Sequence, residues 1–122
     1  MRLVIVTLAC FACVTAAAQD SAVADKIRAA MAADVRTDAD TARDRNRKPV
    51  ETLEFFGLQD DMRVLELLPG GGWYTKLLAP TLRENGELFV AIGTNNVSTN
   101  LLTQGGFDHV QVIDIGTALE RT

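Results

Sequence analysis

Val64-Leu65-Glu66-Leu67-Leu68-Pro69-Gly70-Gly71-Gly72-Trp73-Tyr74-Thr75 decides how this chain is read. An apolar run ends in three consecutive glycines, and a helix-compatible segment follows at once. A buried parallel strand turns this way into the helix of a nucleotide-type binding fold. Three glycines leave backbone without side chains, which a ligand can approach closely. Glu66 lies inside the apolar run, where a carboxylate is costly unless it has a partner. A tight strand-to-helix turn whose glycines serve geometry alone is the competing reading.

Working outward, the strand spans about 63–68, apolar on both faces apart from Glu66, as a central parallel strand covered by helices would be. After the turn, Trp73, Leu77, Leu78 and Leu82 form a helical stripe, with the helix starting near Gly72 or Trp73. Pro80 should kink that helix or end it early. Asn85-Gly86 is a turn signal. Leu88 to Ile92 reads as a second strand, Val97 to Leu102 as a short helix capped by Ser98 or Thr94, and His109 to Ile115 as a third strand. Strands alternating with helices imply right-handed crossovers and a parallel sheet. The fold class is therefore α/β: half of a doubly wound, Rossmann-like fold, with three parallel strands in the order three-two-one and flanking helices.

Upstream, Pro49 opens a short helix with Val50, Leu53 and Phe56 on its buried face (Phe55 is a further candidate), and Gly57 ends it. Residues 36–48 are dense in both charge signs and read as a solvated linker. The arginines and lysine between Arg43 and Lys48 are also placed to meet an acidic ligand or partner. Before them, 21–35 is helix-favouring, with Val23, Ile27, Ala30, Met31 and Val35 forming an apolar stripe and Asp20 or Ser21 as its cap.

The N-terminus has the three parts of a secretory signal peptide over residues 1–18: Arg2, an apolar run from Leu3 to Val14, and the small triplet Ala16-Ala17-Ala18. That run is shorter than the roughly 20 apolar residues a span needs, so no stable membrane span is expected after cleavage. An uncleaved anchor is the alternative. Cys10 and Cys13, the chain's two cysteines, both lie in this segment. The cleaved chain thus holds no disulfide and no thiolate site, and its destination is the periplasm or the exterior. The organisation is then signal peptide 1–18, N-terminal helix and charged linker 19–48, and a Rossmann-like domain 49–122. A length of 122 residues suits one small domain. A formal charge of −4 argues against nucleic acid as a partner.

Two ligand types are poor matches to the turn. Thr75 stands where a dinucleotide fingerprint needs its third glycine. Lys76 follows Thr75 in the reverse of the phosphate-loop order. S-adenosylmethionine suits it better, because its methionine end needs open backbone and a carboxylate near its ammonium. Glu66 followed by Gly70 and Gly72 resembles the first motif of class I methyltransferases, acid-x-G-x-G-x-G, with Leu68 in place of the first glycine. The wider set is more specific: Arg43-Asp44-Arg45-Asn46-Arg47-Lys48-Pro49, Glu51-Thr52-Leu53, Phe55-Phe56-Gly57, Glu66 to Thr75, Leu78-Ala79-Pro80 and Gly106-Phe107-Asp108. Together these residues resemble a family of predicted exported bacterial methyltransferases over about residues 40–115.

The resemblance implies a Rossmann-like fold that binds S-adenosylmethionine through Glu66, Pro69, Gly70, Gly71, Gly72, Trp73 and Tyr74. The family's acid at the end of the second strand, which binds the ribose, has no counterpart in Ala91-Ile92-Gly93-Thr94-Asn95. Thr94 or Asn95 would supply weaker hydrogen bonds there. Family members run on through strands four to seven, so this chain reads as a C-terminally truncated form. Its first strand would then be an exposed edge. That leaves two functional expectations: an S-adenosylmethionine-dependent methyltransferase-like protein, or a non-catalytic module that self-associates through that edge. His109 reads as a surface residue before it reads as a catalytic base, Asp114 as a solvated strand end, and no cluster has metal-ligand spacing.

Overall fold

The computed structural model describes the backbone of residues 12–115 and the side chains of residues 22–115. The leader reading of Met1–Phe11 lies outside the described residues. Within them the elements are α1 (Ala12–Met31), α2 (Asp38–Arg47), α3 (Pro49–Phe55), β1 (Arg63–Leu67), α4 (Thr75–Leu82), β2 (Glu87–Ala91), α5 (Asn95–Asn100) and β3 (Gln111–Ile113). The three strands form one sheet in the order β1-β2-β3. Both pairings are parallel, with Arg63 opposite Glu87, Glu66 opposite Val90 and Ala91 opposite Ile113. This is the α/β fold and strand order expected from the alternation of strands and helices.

The core lies where α1, α3 and α4 pack together on one face of the sheet. Ile27, Leu77, Leu82, Leu88 and Val90 are fully buried there. Val23, Ala24, Ile27 and Ala30 are the buried stripe of α1, at the spacing read from the sequence. Neither Asp20 nor Ser21 caps this helix, because its backbone is already helical from Ala12. It stops at Met31, so Val35 reaches the core from the connection that follows.

The expected linker is instead a helix, α2. Thr37 Oγ1 accepts from the Asp40 N–H at 3.2 Å, and the Asp40 carboxylate accepts from the Thr37 N–H at 2.9 Å. This capping box satisfies two otherwise orphaned donors. Asp38 and Asp40 sit in the first turn and Arg45 and Arg47 in the last, signs that suit the helix dipole. Lys48, left-handed at φ 42°, ends α2, and Pro49 starts α3.

Two further expectations fail in α3 and β1. Phe56 and Phe55 are 75% and 86% exposed, not buried. Gly57 turns the chain at φ 71°, and the Leu58 N–H donates to Leu53 O, so Leu58 takes the core position instead. In β1, Val64 and Glu66 are half-buried while Leu65 and Leu67 are about half exposed. Successive side chains alternate between sheet faces, and the helices that bury β2 cover only one of them. Among the described residues β1 is an edge strand, in line with the exposed edge expected of a three-stranded form and not with the central strand its apolar run suggests.

The turn from α4 into β2 places Gly86 against the loop before β1. Its N–H donates to Leu82 O, and Glu87 N–H donates to Met62 O. A Cβ at Gly86 would lie 2.6 Å from Met62 O and 2.8 Å from Asp60 O. Backbone atoms cannot step aside as a side chain can. Gly86→Ala is therefore expected to cost about 1–3 kcal/mol, read as a lowered urea midpoint at unchanged slope.

Candidate functional site

β1 carries Glu66 to the C-terminal end of the sheet, and the chain then turns through the glycines into α4. Leu68 N–H donates to Ala91 O, extending the ladder one residue past the strand, with Leu68 held at φ 54°. Gly72 N–H donates to Pro69 O at 2.8 Å, closing the turn. Gly70 and Gly72 take φ 56° and 84°, which side chains rarely adopt.

The three glycines divide their roles. A Cβ at Gly70 or Gly71 would meet nothing within 4 Å, so these two leave the backbone open. A Cβ at Gly72 would lie 2.5 Å from Leu101 Cδ2 and 3.2 Å from Val97 Cγ2. Gly72 thus lets α5 and the residue after it pack against the turn. It faces the protein, not the open side.

Glu66 Oε2 accepts from the Thr75 hydroxyl at 2.7 Å, across the turn. Burial pushes the Glu66 carboxyl above its ordinary value, and the hydroxyl and N–H of Thr75 offset part of that rise. The carboxylate therefore lies over the glycine bend and does not point away from it. A cavity of about 600 Å³ opens there, lined by Glu66, Pro69, Gly70, Gly71, Trp73 and Tyr74 among others. This volume is within the usual range of small-molecule sites.

Trp73 is 4% exposed, and its Nε1 donates to Asp40 O at 2.9 Å. Tyr74 meets it edge-on at 4.6 Å between ring centres. The indole is thus fastened to α2 and forms part of the cavity's wall. It serves both readings made of it, core and lining.

Six of the eight residues singled out from the sequence meet at this cavity. Gly72 is packed behind the turn. Thr94 is on a second cavity of about 400 Å³ at the ends of β2 and β3, together with Asn95 and Asp114. His109 is at neither cavity. Its Nε2 is 2.8 Å from Ala79 O and its Nδ1 is 3.1 Å from Arg83 Nη1, so it joins the approach to β3 to α4.

Part of the lining of the first cavity belongs to α2: the linker reading misses the helix, Thr37 and Asp40, while the sequence already marks the cations from Arg43 to Lys48 as placed to meet an acidic ligand. Thr37, Asp40, Arg43 and Arg47 line the cavity, as does Lys76 of α4. Lys76 Nζ pairs with Asp40 at 2.6 Å. Burial works to raise the Asp40 carboxyl, but Lys76 and the Thr37 donors outweigh it and hold the group below its ordinary value. Arg47 stacks over Trp73 at 4.6 Å and reaches Tyr74 at 5.8 Å. The available signal was Thr37-x-x-Asp40 at capping-box spacing, followed by Arg43 and Arg47 four residues apart.

Fold and site together define a small α/β protein with a three-stranded parallel sheet and a cavity beyond the C-terminal end of its first strand. Comparison with protein-family models, with curated proteins and with solved structures gives no match in any of the three.

Proposed function

We propose that this chain is a class I-like, S-adenosylmethionine-binding protein of the methyltransferase type, with the cofactor in the cavity beyond β1. The observation that carries the reading is one juxtaposition. Glu66, held by Thr75, shares a cavity of about 600 Å³ with the open backbone of Gly70 and Gly71. A carboxylate beside bare backbone suits the ammonium and the unbranched chain of the cofactor's methionine end. The cavity also lies outside the carboxyl end of a parallel strand, where open α/β sheets hold their ligands. Methyl transfer is a direct displacement at the sulfonium carbon, so the protein's work is to position the reactants. On the leader reading of residues 1–18, the protein acts after export.

Calorimetric titration of the full chain with S-adenosylmethionine tests this. Saturable heat at micromolar to millimolar ligand is expected, and none at millimolar concentration removes the proposal.

One observation favours a second reading, a non-catalytic module that self-associates. β1 is an edge strand whose Leu65, Leu67 and the following Leu68 are 49%, 52% and 69% exposed. Unpaired edge groups beside apolar side chains promote pairing between chains. Size-exclusion chromatography with light scattering discriminates: this reading requires a concentration-dependent dimer and no cofactor heat.

A further inference from the structure

The charges of α2 are paired in an unusual way. The helix carries acids at 38, 40 and 44 and arginines at 43, 45 and 47. Cations from outside it take two of the acids: Lys76 pairs with Asp40, and Arg36 pairs with Asp44. The helix's own Arg43 and Arg47 are left without a carboxylate. Arg43 makes no ion pair or side-chain hydrogen bond among the described residues, and Arg47 has only the faces of Trp73 and Tyr74. Both line the same cavity.

Four residues apart, the two guanidiniums share a helix face about one turn from each other. Like charges so placed cost a helix a few tenths of a kcal/mol unless something between them is negative. Asp40 and Lys76 cancel each other at this wall. The chain as a whole is acidic, at formal charge −4. A doubly cationic wall in a cavity of an acidic protein concentrates anions there. Arg47 is also pre-oriented: with its face on the indole, its N–H edge is free to bind in the plane of a carboxylate or phosphate.

We propose that Arg43 and Arg47 form an anion-binding subsite of the cavity, which takes a carboxylate or phosphate group of a small ligand. Glu66 and the bare glycine backbone, which line the same cavity, then take the ligand's donor or cationic end. The site selects ligands bearing both charges. In its narrow form, with the anion being the cofactor's own carboxylate, the inference rests on the proposed function. The anion subsite itself does not.

The test is titration of the full chain with three probes: S-adenosylmethionine, 5′-methylthioadenosine (the same nucleoside as a neutral thioether, without the arm that carries the carboxylate and the ammonium) and inorganic phosphate. The variants are Arg43→Gln, whose side chain has no partner to lose among the described residues, and Arg43→Gln/Arg47→Gln. Circular dichroism and the urea midpoint check their fold. The double variant is expected to bind S-adenosylmethionine about tenfold or more weakly, as loss of charge-assisted hydrogen bonds implies. Arg43→Gln should show part of that loss, and 5′-methylthioadenosine should bind all three proteins within about twofold of each other. Equal losses for both nucleosides, or no loss for either, overturn the subsite. If the wild type binds phosphate in an arginine-dependent way but neither nucleoside, the subsite stands and the cofactor reading falls. Heat from none of the three probes overturns both.

Discussion

Asp44→Asn is expected to destabilise the protein by about 3–5 kcal/mol, the usual cost of stripping a buried charge of its partner. The Arg36 side chain is 1% exposed, and its two terminal nitrogens reach the Asp44 oxygens at 2.6 and 2.8 Å. Arg36 also donates to Met31 O at 3.2 Å and lies 5.6 Å from the centre of the Trp73 ring. Its Nε is buried without a partner, so no spare acceptor stands ready to replace the lost carboxylate. The asparagine keeps shape and one acceptor but not the charge. A small domain has roughly 5–15 kcal/mol in total, so the loss is a large share of it. Urea unfolding reads the effect, and a stability loss under about 0.5 kcal/mol would mean that Arg36 finds water in solution. Because Arg36 and Asp44 fasten α2 beside the indole, the cavity wall loosens with them.

Glu66→Gln is expected to act in opposite directions on stability and on binding. The folded protein holds the Glu66 proton more tightly than the unfolded chain does, because burial raises the carboxyl above its ordinary 4.5. Between 4.5 and the raised folded value, stability contributed at this position falls as pH rises, and the full penalty is present above that window. Glutamine carries no such penalty and keeps an acceptor for the Thr75 hydroxyl. Relative to wild type, the variant should therefore gain stability as pH rises through the window and hold that gain at neutral pH. Its affinity for S-adenosylmethionine should fall about tenfold to a hundredfold, as loss of a charge-assisted hydrogen bond to an ammonium implies. Urea midpoints at pH 4 and pH 7, with calorimetry at pH 7, check both halves. A variant less stable than wild type at neutral pH would show that the carboxylate supports the fold, and an unchanged affinity would show that it does not hold the ligand. A carboxylate kept where it costs stability is one reason to place function at this turn.

Aspartates with the opposite shift set the acid limit. Lys26 and Asn85 hold the Asp60 carboxyl below its ordinary 3.8, and Lys76 and Thr37 hold Asp40 below it despite burial. Stability from these groups is present above the ordinary aspartate range and is lost as pH falls through their lowered values.

What was legible in the sequence is what depends on local pattern. The alternation of apolar runs with helical stripes determined three parallel strands and their order, because right-handed crossovers leave few alternatives. Consecutive glycines after an apolar run determined the turn, and an acid within that run marked Glu66. Tertiary structure alone decided the rest, because those outcomes turn on which surfaces meet. Gly70, Gly71 and Gly72 look alike in sequence, but Leu101 and Val97 close over only the third. Phe56 fits the stripe of α3, yet the backbone at Gly57 sends Leu58 into the core instead. Residues 36–48 lack the large apolar side chains that announce a packed element. Their helix is held by charge pairs to Arg36 and Lys76 and by one indole N–H, contacts that periodicity cannot register. That docking brings Arg43 and Arg47 to the cavity that the glycine turn also lines.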